Sequence, residues 1–324
     1  MKYSSYKING SKSYGFWVDD STIVDLPKLL GSKAPKNLDR FLEDLVDGDI
    51  DTSLLTENAE ASIASSDVKL LQPIGRPGKI IGVAANNRMI QMLAHRRFDN
   101  PAFFFKPSSS LAGHGDAIEV GEDFGNTHCE PELAVIIGKP GKNISEAEAL
   151  SHVFGYSIIN DVTSPGLKAR DSIELVIPGD GTAYNKLLDW RRNLTDEHDR
   201  SIYLTYHALS KGTDTFGPMG PWIVTADEVA NPNCLAVNTY DGDTLVFEDS
   251  TANLTFSIEH IIAHLSKYMT LETGDIIHCG TAMKAVEGAK YSAIGEWDFS
   301  RIGGTCTIEI EGIGKLSNPI EIRK

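Results

Sequence analysis

Short runs near the start of the chain, Tyr3 to Ile8, Ser13 to Val18 and Thr22 to Val24, are strand-like. They are broken at Asn9-Gly10 and Asp19-Asp20, both of which carry turn chemistry. The spacing then changes: Leu38, Phe41, Leu42 and Leu45 fall on one face of a helix, with Gly48 as a stop signal. The segment Gln72-Pro73-Ile74-Gly75-Arg76-Pro77-Gly78 has the Pro/Gly punctuation of a linker. These patterns predict a small N-terminal α/β domain over residues 1–72 and a larger domain over residues 73–324.

In the larger domain, apolar runs predict strands at Lys79 to Val83, Ala102 to Phe105, Leu133 to Ile137, Gly155 to Ile159, Leu235 to Tyr240, Thr244 to Phe247, Asp275 to His278 and Thr305 to Ile310. Helix starts are fewer. Ser145 with Glu148 forms a capping box ahead of Ala149 and Val153, and Ser257 can cap the stripe Ile258, Ile261, Ile262, Leu265 and Met269. Thr225 with Glu228 marks a third, shorter helix. Strands outnumber helices and do not alternate with them regularly, so the predicted fold class is α+β rather than a doubly wound parallel sheet.

Composition narrows the class of protein. The 324 residues are 41% apolar and 23% charged, an ordinary globular balance rather than a disordered one. A net charge of −15 repels phosphate backbones, so no nucleic-acid partner is expected. No apolar run approaches the roughly 18 residues of a membrane span, and Met-Lys-Tyr-Ser-Ser-Tyr-Lys lacks the apolar stretch of a secretion signal. Cys129, Cys234, Cys279 and Cys306 are scattered without zinc or redox spacing, which reads as reduced thiols of the cytoplasm. The expectation is a cytoplasmic enzyme with neither a membrane nor a nucleic-acid partner.

The sharpest local feature is His128-Cys129-Glu130-Pro131-Glu132, which runs into the apolar Leu133-Ala134-Val135-Ile136-Ile137. Side chains alternate faces along a strand, so His128, Glu130 and Glu132 project to one side. Two carboxylates that close repel unless a cation sits between them. The apolar continuation carries the pair toward a core. A second apolar strand, Phe154 to Ile159, ends in Asn160-Asp161, and a strand, helix, strand unit can set Asp161 beside the glutamates. Three carboxylates suit Mg2+ or Mn2+, with Ca2+ as a further candidate, and the lack of paired His or Cys argues against zinc. A solvated strand face is the other reading of this Glu-x-Glu pattern.

Further motifs occur in a telling order: Lys79-Ile80-Ile81-Gly82-Val83, Phe104-Phe105-Lys106-Pro107 with Leu111-Ala112-Gly113, Glu130-Pro131-Glu132-Leu133-Ala134, and Asn160-Asp161-Val162-Thr163. Lys211-Gly212-Thr213-Asp214-Thr215-Phe216-Gly217-Pro218, Gly274-Asp275-Ile276-Ile277 with Gly280-Thr281, and Glu309-Ile310-Glu311-Gly312 follow. From about Lys79 to Pro319 the chain resembles the fumarylacetoacetate hydrolase (FAH) superfamily, a metal-dependent group that includes acylpyruvate hydrolases, oxaloacetate decarboxylases and related isomerases and dehydratases. The resemblance implies an FAH-like mixed β-sheet roll or barrel with few helices, a homodimer, and a small-molecule 2-oxo or diketo acid substrate. It implies Glu130, Glu132 and Asp161 as metal ligands and Lys211 as the active-site lysine. Thr281, with Gly280, resembles the residue that holds the substrate carboxylate. Lys106 and Arg170 join the substrate-binding candidates.

The chain also departs from that pattern. Many members carry a lid of the form Gly-x-Asn-Tyr-x-x-His-x-x-Glu, whose His-Glu pair activates water or handles a proton; here those two positions hold Ile90 and Leu93, and the tyrosine position holds Asn87. His95 lies nearby as a surface histidine. Arg170-Asp171 stands five residues later than the motif places it, and Gly280-Thr281 continues as Ala282-Met283 rather than into the usual proline. Among remaining proton carriers, His114 and His278 read as structural, whereas His128 shares the metal-facing side of its strand and is the better candidate. The mixed charges after Trp190 (Arg191, Arg192, Asp196, Glu197 and Asp199) read as solvated surface. The expected activity is hydrolysis of a C–C bond in a diketo acid such as an acylpyruvate, through a metal-stabilised enolate. A lyase (dehydratase or decarboxylase) or an isomerase acting on a 2-oxo acid is the alternative. A non-catalytic, metal-stabilised ligand-binding protein is a third, against which retention of Lys211 and Thr281 argues.

Overall fold

The computed structural model describes residues 1–93, 98–176 and 201–324; His95 and the charged residues after Trp190 lie outside them. Asn9 and Gly10 both adopt positive φ, 50° and 80°, which a two-residue hairpin turn requires, and they join strands Lys2–Ile8 and Ser11–Trp17 with Ile8 opposite Ser11. That hairpin starts one side of a large mixed sheet. Its order runs Ser62–Ala64, Thr22–Asp25, Ser11–Trp17, Lys2–Ile8, Gly217–Thr225, Val153–Asn160, Pro131–Ile137, Ile276–His278, Ile80–Ala84, Ala102–Lys106. Most neighbours are antiparallel; Ile276–His278 and Ile80–Ala84 run parallel. A second sheet carries Thr244–Ser250, Ala236–Asp241, Gly304–Ile310, Gly314–Arg323 and Ile118–Gly121. The fold is α+β with few helices, and among the described residues neither sheet closes into a barrel. None of the described helices is long and apolar enough to cross a membrane.

Pro131–Ile137 is buried along its whole length because both its faces are covered. Leu133, Val135 and Ile137 point into one apolar core with Ile261, Ile262 and Leu265 of the helix Ile258–Tyr268 and with the second sheet. Ala134 and Ile136 point the other way, into a core built with Tyr3, Phe16, Leu38, Phe41 and Leu42. The first 72 residues therefore extend the large sheet, with Tyr3 opposite Ile223, and wall one of its faces. The linker is tied back as well, since the Asp39 carboxylate accepts the N–H groups of Gly75 (2.8 Å) and Arg76 (3.0 Å).

Two predicted helices are shorter than their sequence signals. Ser145 does not cap an α-helix: its hydroxyl donates to Glu148 at 2.8 Å, and only a single 3-10 turn, Ala149–His152, fits before Val153 enters its strand. The Thr225 signal likewise yields only the 3-10 turn Ala226–Glu228. By contrast Ser257 accepts the His260 N–H and caps Ile258–Tyr268 as expected, and Asn37 caps Leu38–Val46.

Asp25 is the polar anchor of the N-terminal part. Its buried carboxylate accepts from Tyr6 Oη (2.9 Å), Ser13 Oγ (2.6 Å) and the Lys28 N–H (2.9 Å), so it caps the helix Leu26–Leu30 while satisfying a buried phenol. Asp25→Ala leaves the Tyr6 hydroxyl without its acceptor and should cost about 1–3 kcal/mol. Urea unfolding of the two proteins reads the difference, and equal midpoints would contradict it.

Candidate active site

Register assembles the site. Pro131 lies opposite Asn160, and the Asp161 N–H donates to the Glu130 carbonyl at 2.9 Å, so Asp161 stands across from Glu130. On the other side Ala134 pairs with His278, which brings Gly280 and Thr281 to Glu132. His278 in turn lies opposite Gly82, where any Cβ would come within 2.5 Å of the imidazole Nε2, so the ring occupies room that only glycine leaves. Gly280 is constrained twice: its φ of 107° suits glycine, and a Cβ there would sit 2.6 Å from Asn86 Cβ.

Three carboxylates meet two ammonium groups in this cluster. Glu132 Oε2 accepts the Gly280 N–H (2.7 Å) and pairs with His278 Nδ1 (2.7 Å). Glu130 Oε2 accepts from the Thr281 hydroxyl (2.9 Å) and from Lys211 Nζ (3.1 Å). Asp161 is held from both sides, by Lys106 at Oδ1 (2.6 Å) and by Lys211 at Oδ2. Lys106 also donates to the Phe216 carbonyl (2.9 Å), and Lys211 to Thr163 Oγ1 (2.7 Å).

Burial opposes ionisation of every one of these groups, and the neighbours decide the result. For Asp161, Lys106 and Lys211 outweigh burial and hold its carboxyl below the usual range. Lys211, together with His128, does the same for Glu130, which lies well below. Burial prevails at Glu132 and raises it, although His278 pulls the other way. The lysines divide likewise. Burial pushes Lys106 down despite Asp161, whereas Asp161 and Glu130, with Glu132, overcome burial at Lys211 and raise it, so Lys211 stays charged.

The donor set fits a divalent cation. Ligand atoms of Glu132, Asp161 and His278 lie within 4.8 Å of one another, all three residues being buried, and Glu130 stands next to them through Thr281. The carboxylate oxygens suit Mg2+ or Mn2+, and His278, paired with Glu132 through Nδ1, orients one of the acids. The sequence treated His278 as structural; its role beside Glu132 depends on the strand pairing.

Other candidates fall elsewhere. His128 Nε2 is 3.6 Å from Glu130 Oε1 and its Nδ1 is 3.2 Å from Asn126 Oδ1, so it borders the cluster. His114 Nδ1 accepts the Ser317 N–H, and burial lowers its pKa. Arg170 is exposed and pairs with Asp123, and among the described residues it makes no hydrogen bond or ion pair with the carboxylate cluster. Its neighbour Asp171 has the closer connection. The Asp171 carboxylate accepts the N–H groups of Leu209 (2.8 Å) and Ser210 (2.7 Å), which pins the short helix Ala208–Gly212 carrying Lys211. In the lid segment Asn86 Nδ2 donates to the Cys279 carbonyl (2.6 Å) and Asn87 Nδ2 to the Thr281 carbonyl (3.1 Å). The two asparagines thus moor the helix Arg88–Leu93 beside the cluster, while Ile90 and Leu93, at the positions of the missing His-Glu pair, are exposed.

A buried carboxylate cluster bridged by lysines thus lies where strands of an open α+β fold converge. Residues 79–321 match the fumarylacetoacetate (FAA) hydrolase C-terminal family, and the chain belongs to that family. It is 31% identical to the oxaloacetate tautomerase YisK of Bacillus subtilis, over 99% of this chain and 100% of that protein. A maleylpyruvate hydrolase from Sphingobium sp. SYK-6, solved with manganese(II) and pyruvate, superposes with a TM-score of 0.69 at 25% identity and full coverage of both chains. A 5-carboxymethyl-2-hydroxymuconate delta-isomerase from Mycobacterium smegmatis has a TM-score of 0.66, also at 25% identity and full coverage.

Manganese titrated into the protein, followed by calorimetry or by loss of its free EPR signal, should bind at this cluster. His278→Ala, which frees Glu132 from its imidazole partner, should weaken binding by about 10–100-fold. Asp161→Asn should weaken it further, and unchanged affinity in both variants would place the ion elsewhere.

Proposed function

We propose that the protein is a metal-dependent isomerase that interconverts the keto and enol forms of a 2-oxo acid. The observation that carries this reading is an intact carboxylate and lysine cluster beside a lid whose water-activating positions are Ile90 and Leu93. Hydrolysis needs an activated water; a proton shift along a 2-oxo acid does not. The full-length similarity to a protein named oxaloacetate tautomerase supports the same reading.

In this reading Glu130, Glu132 and Asp161 hold Mg2+ or Mn2+, which would supply Lewis-acid polarisation of the 2-oxo group. Lys211, kept charged by Asp161 and Glu130, lies with its ammonium 5.0 Å from the Phe104 ring centroid and stabilises negative charge on the enolate oxygen. Gly280 and His278 fix Glu132 through Oε2, and its Oε1, which meets only the Thr281 hydroxyl at 3.3 Å, is the oxygen turned to the ion. Lys106, wholly buried, holds Asp161 in place through Oδ1. Thr281 tethers Glu130 and stands where a substrate carboxylate would meet its backbone. Residues 73–324 carry all of these groups, and residues 1–72 buttress the sheet beneath them. The reading extends to a homodimer acting in the cytoplasm, with light scattering as the check on its oligomeric state.

Hydrolysis of a C–C bond in a diketo acid is the second reading, favoured by the fold shared over the whole chain with a maleylpyruvate hydrolase. Product identity separates the two. With oxaloacetate and Mg2+ or Mn2+, the protein should accelerate loss of the enol absorbance and leave oxaloacetate intact by NMR. Acylpyruvates should be left uncleaved. Lys211→Met should lower kcat by about 10²–10³-fold. No acceleration with oxaloacetate, or cleavage of an acylpyruvate, would overturn the isomerase reading.

A further inference from the structure

One titratable side chain that no motif marked shares a wall of the site with Lys211. His207 stands just ahead of the helix Ala208–Gly212, and its carbonyl accepts the Lys211 N–H at 3.2 Å. Its ring packs on Phe104 with centroids 5.7 Å apart, on the same aromatic ring that lies under the Lys211 ammonium at 5.0 Å. Phe104 also meets His278 edge-on at 5.6 Å, so His207, Lys211 and the cluster surround one phenyl group. Phe104 and Lys106 are two apart on a strand and share its face, which is the face turned to Asp161.

Two features of His207 bear on its role. Its backbone is left-handed, with φ 57° and ψ 12°, a conformation that strains a residue with a Cβ and persists where surrounding structure enforces it. Here Asp171 helps to do so, by accepting the N–H groups of Leu209 and Ser210, two and three residues further on. In addition, Nδ1 of His207 is buried and has no hydrogen-bond partner among the described residues. A buried ring nitrogen without a partner is costly unless something else completes it. His278 and His128 are each engaged through Nδ1, with Glu132 and Asn126, although Nε2 of His278 is, like Nδ1 of His207, buried without a partner among the described residues.

We propose that His207 is the proton carrier of the isomerisation, the group that stands in for the absent lid pair. This rests on the tautomerase reading above. In the enolising direction the C3–H bond of the 2-oxo acid breaks and its proton passes to the imidazole. The C–H electron pair forms the C2=C3 bond, and the carbonyl π pair moves onto oxygen, facing Lys211. The imidazolium then returns its proton to that oxygen, so the enol leaves with every atom of the keto acid and His207 is neutral again.

The charges around His207 suit a base. Burial lowers its pKa first; Lys168, on the helix Pro165–Lys168, and Lys211, on its own helix, lower it further. Asp171 and Asp161 oppose them without reversing the shift. His207 is therefore neutral at pH 7 and accepts a proton.

The test compares wild type, His207→Asn and His207→Gly in the manganese-loaded protein with oxaloacetate as substrate. Both replacements tolerate the left-handed backbone, so the fold is preserved. The expected result is a kcat lower by about 10²–10⁴-fold with KM, manganese affinity and melting temperature unchanged, and recovery of His207→Gly by added imidazole. Wild-type kcat/KM should rise with pH through a pKa below that of free histidine, and the variants should lose that limb. Variants as active as wild type overturn the assignment and leave the tautomerase reading standing. Losses that follow manganese affinity or melting temperature, and that imidazole does not restore, also overturn it. A wild-type protein inert toward oxaloacetate overturns the tautomerase reading and removes this assignment with it.

Discussion

Three carboxylates cannot be buried side by side without positive charge to match. Moving each from water into the interior costs several kcal/mol, and their mutual repulsion adds to that. Lys106 and Lys211 supply the compensation, and both do so through Asp161. The rest of the molecule can be understood as what it takes to deliver two lysines, three acids and an imidazole to one point from five separate strands and helices. Truncating any one of them leaves a buried charge or polar group without its partner, the costliest kind of change to a protein interior.

Delivery depends on a sheet covered on both sides. Pro131–Ile137 and Val153–Asn160 run through the middle of the large sheet, with apolar residues on both faces, so their register cannot slip without turning core residues onto the wrong side. That locked register sets Asp161 across from Glu130. The short strand Ile276–His278, paired to Pro131–Ile137 on one side and to Ile80–Ala84 on the other, then sets the His278 ring beside Glu132, in the room that Gly82 leaves. Lys211 comes from outside the sheet, on a helix of five residues that Asp171 holds by its first N–H groups. A helix that short has little stability of its own, and the carboxylate cap does what length cannot.

In the proposed reading, the groups that handle protons around the cluster decide which reaction it serves. The lid segment keeps its place through Asn86 and Asn87 but presents aliphatic side chains at the positions of an acid–base pair. A shift of proton-handling duty to the opposite wall, onto the turn that precedes Lys211, would leave the metal-binding architecture untouched while changing which reaction the pocket favours. Reaction type would then be set by two or three side chains on the same frame.

The local features of this protein were legible in the amino-acid sequence. The Asn9-Gly10 turn, the Leu38–Val46 helix, the Ser257 cap and most strands each depend on residues within a turn or two of one another. Where a local signal met a tertiary demand it gave way, as at Ser145, where the next strand begins too soon for a helix to form. Motif order pointed to Asp161, Lys211 and Thr281, but not to the contacts they make. Lys106 reaches Asp161 across 55 residues and Thr281 reaches Glu130 across 151, and no short-range pattern encodes such a meeting. His278 and His207 stayed hidden for the same reason: what a histidine does depends on the charge and space around its ring, and strand register and packing alone determine those.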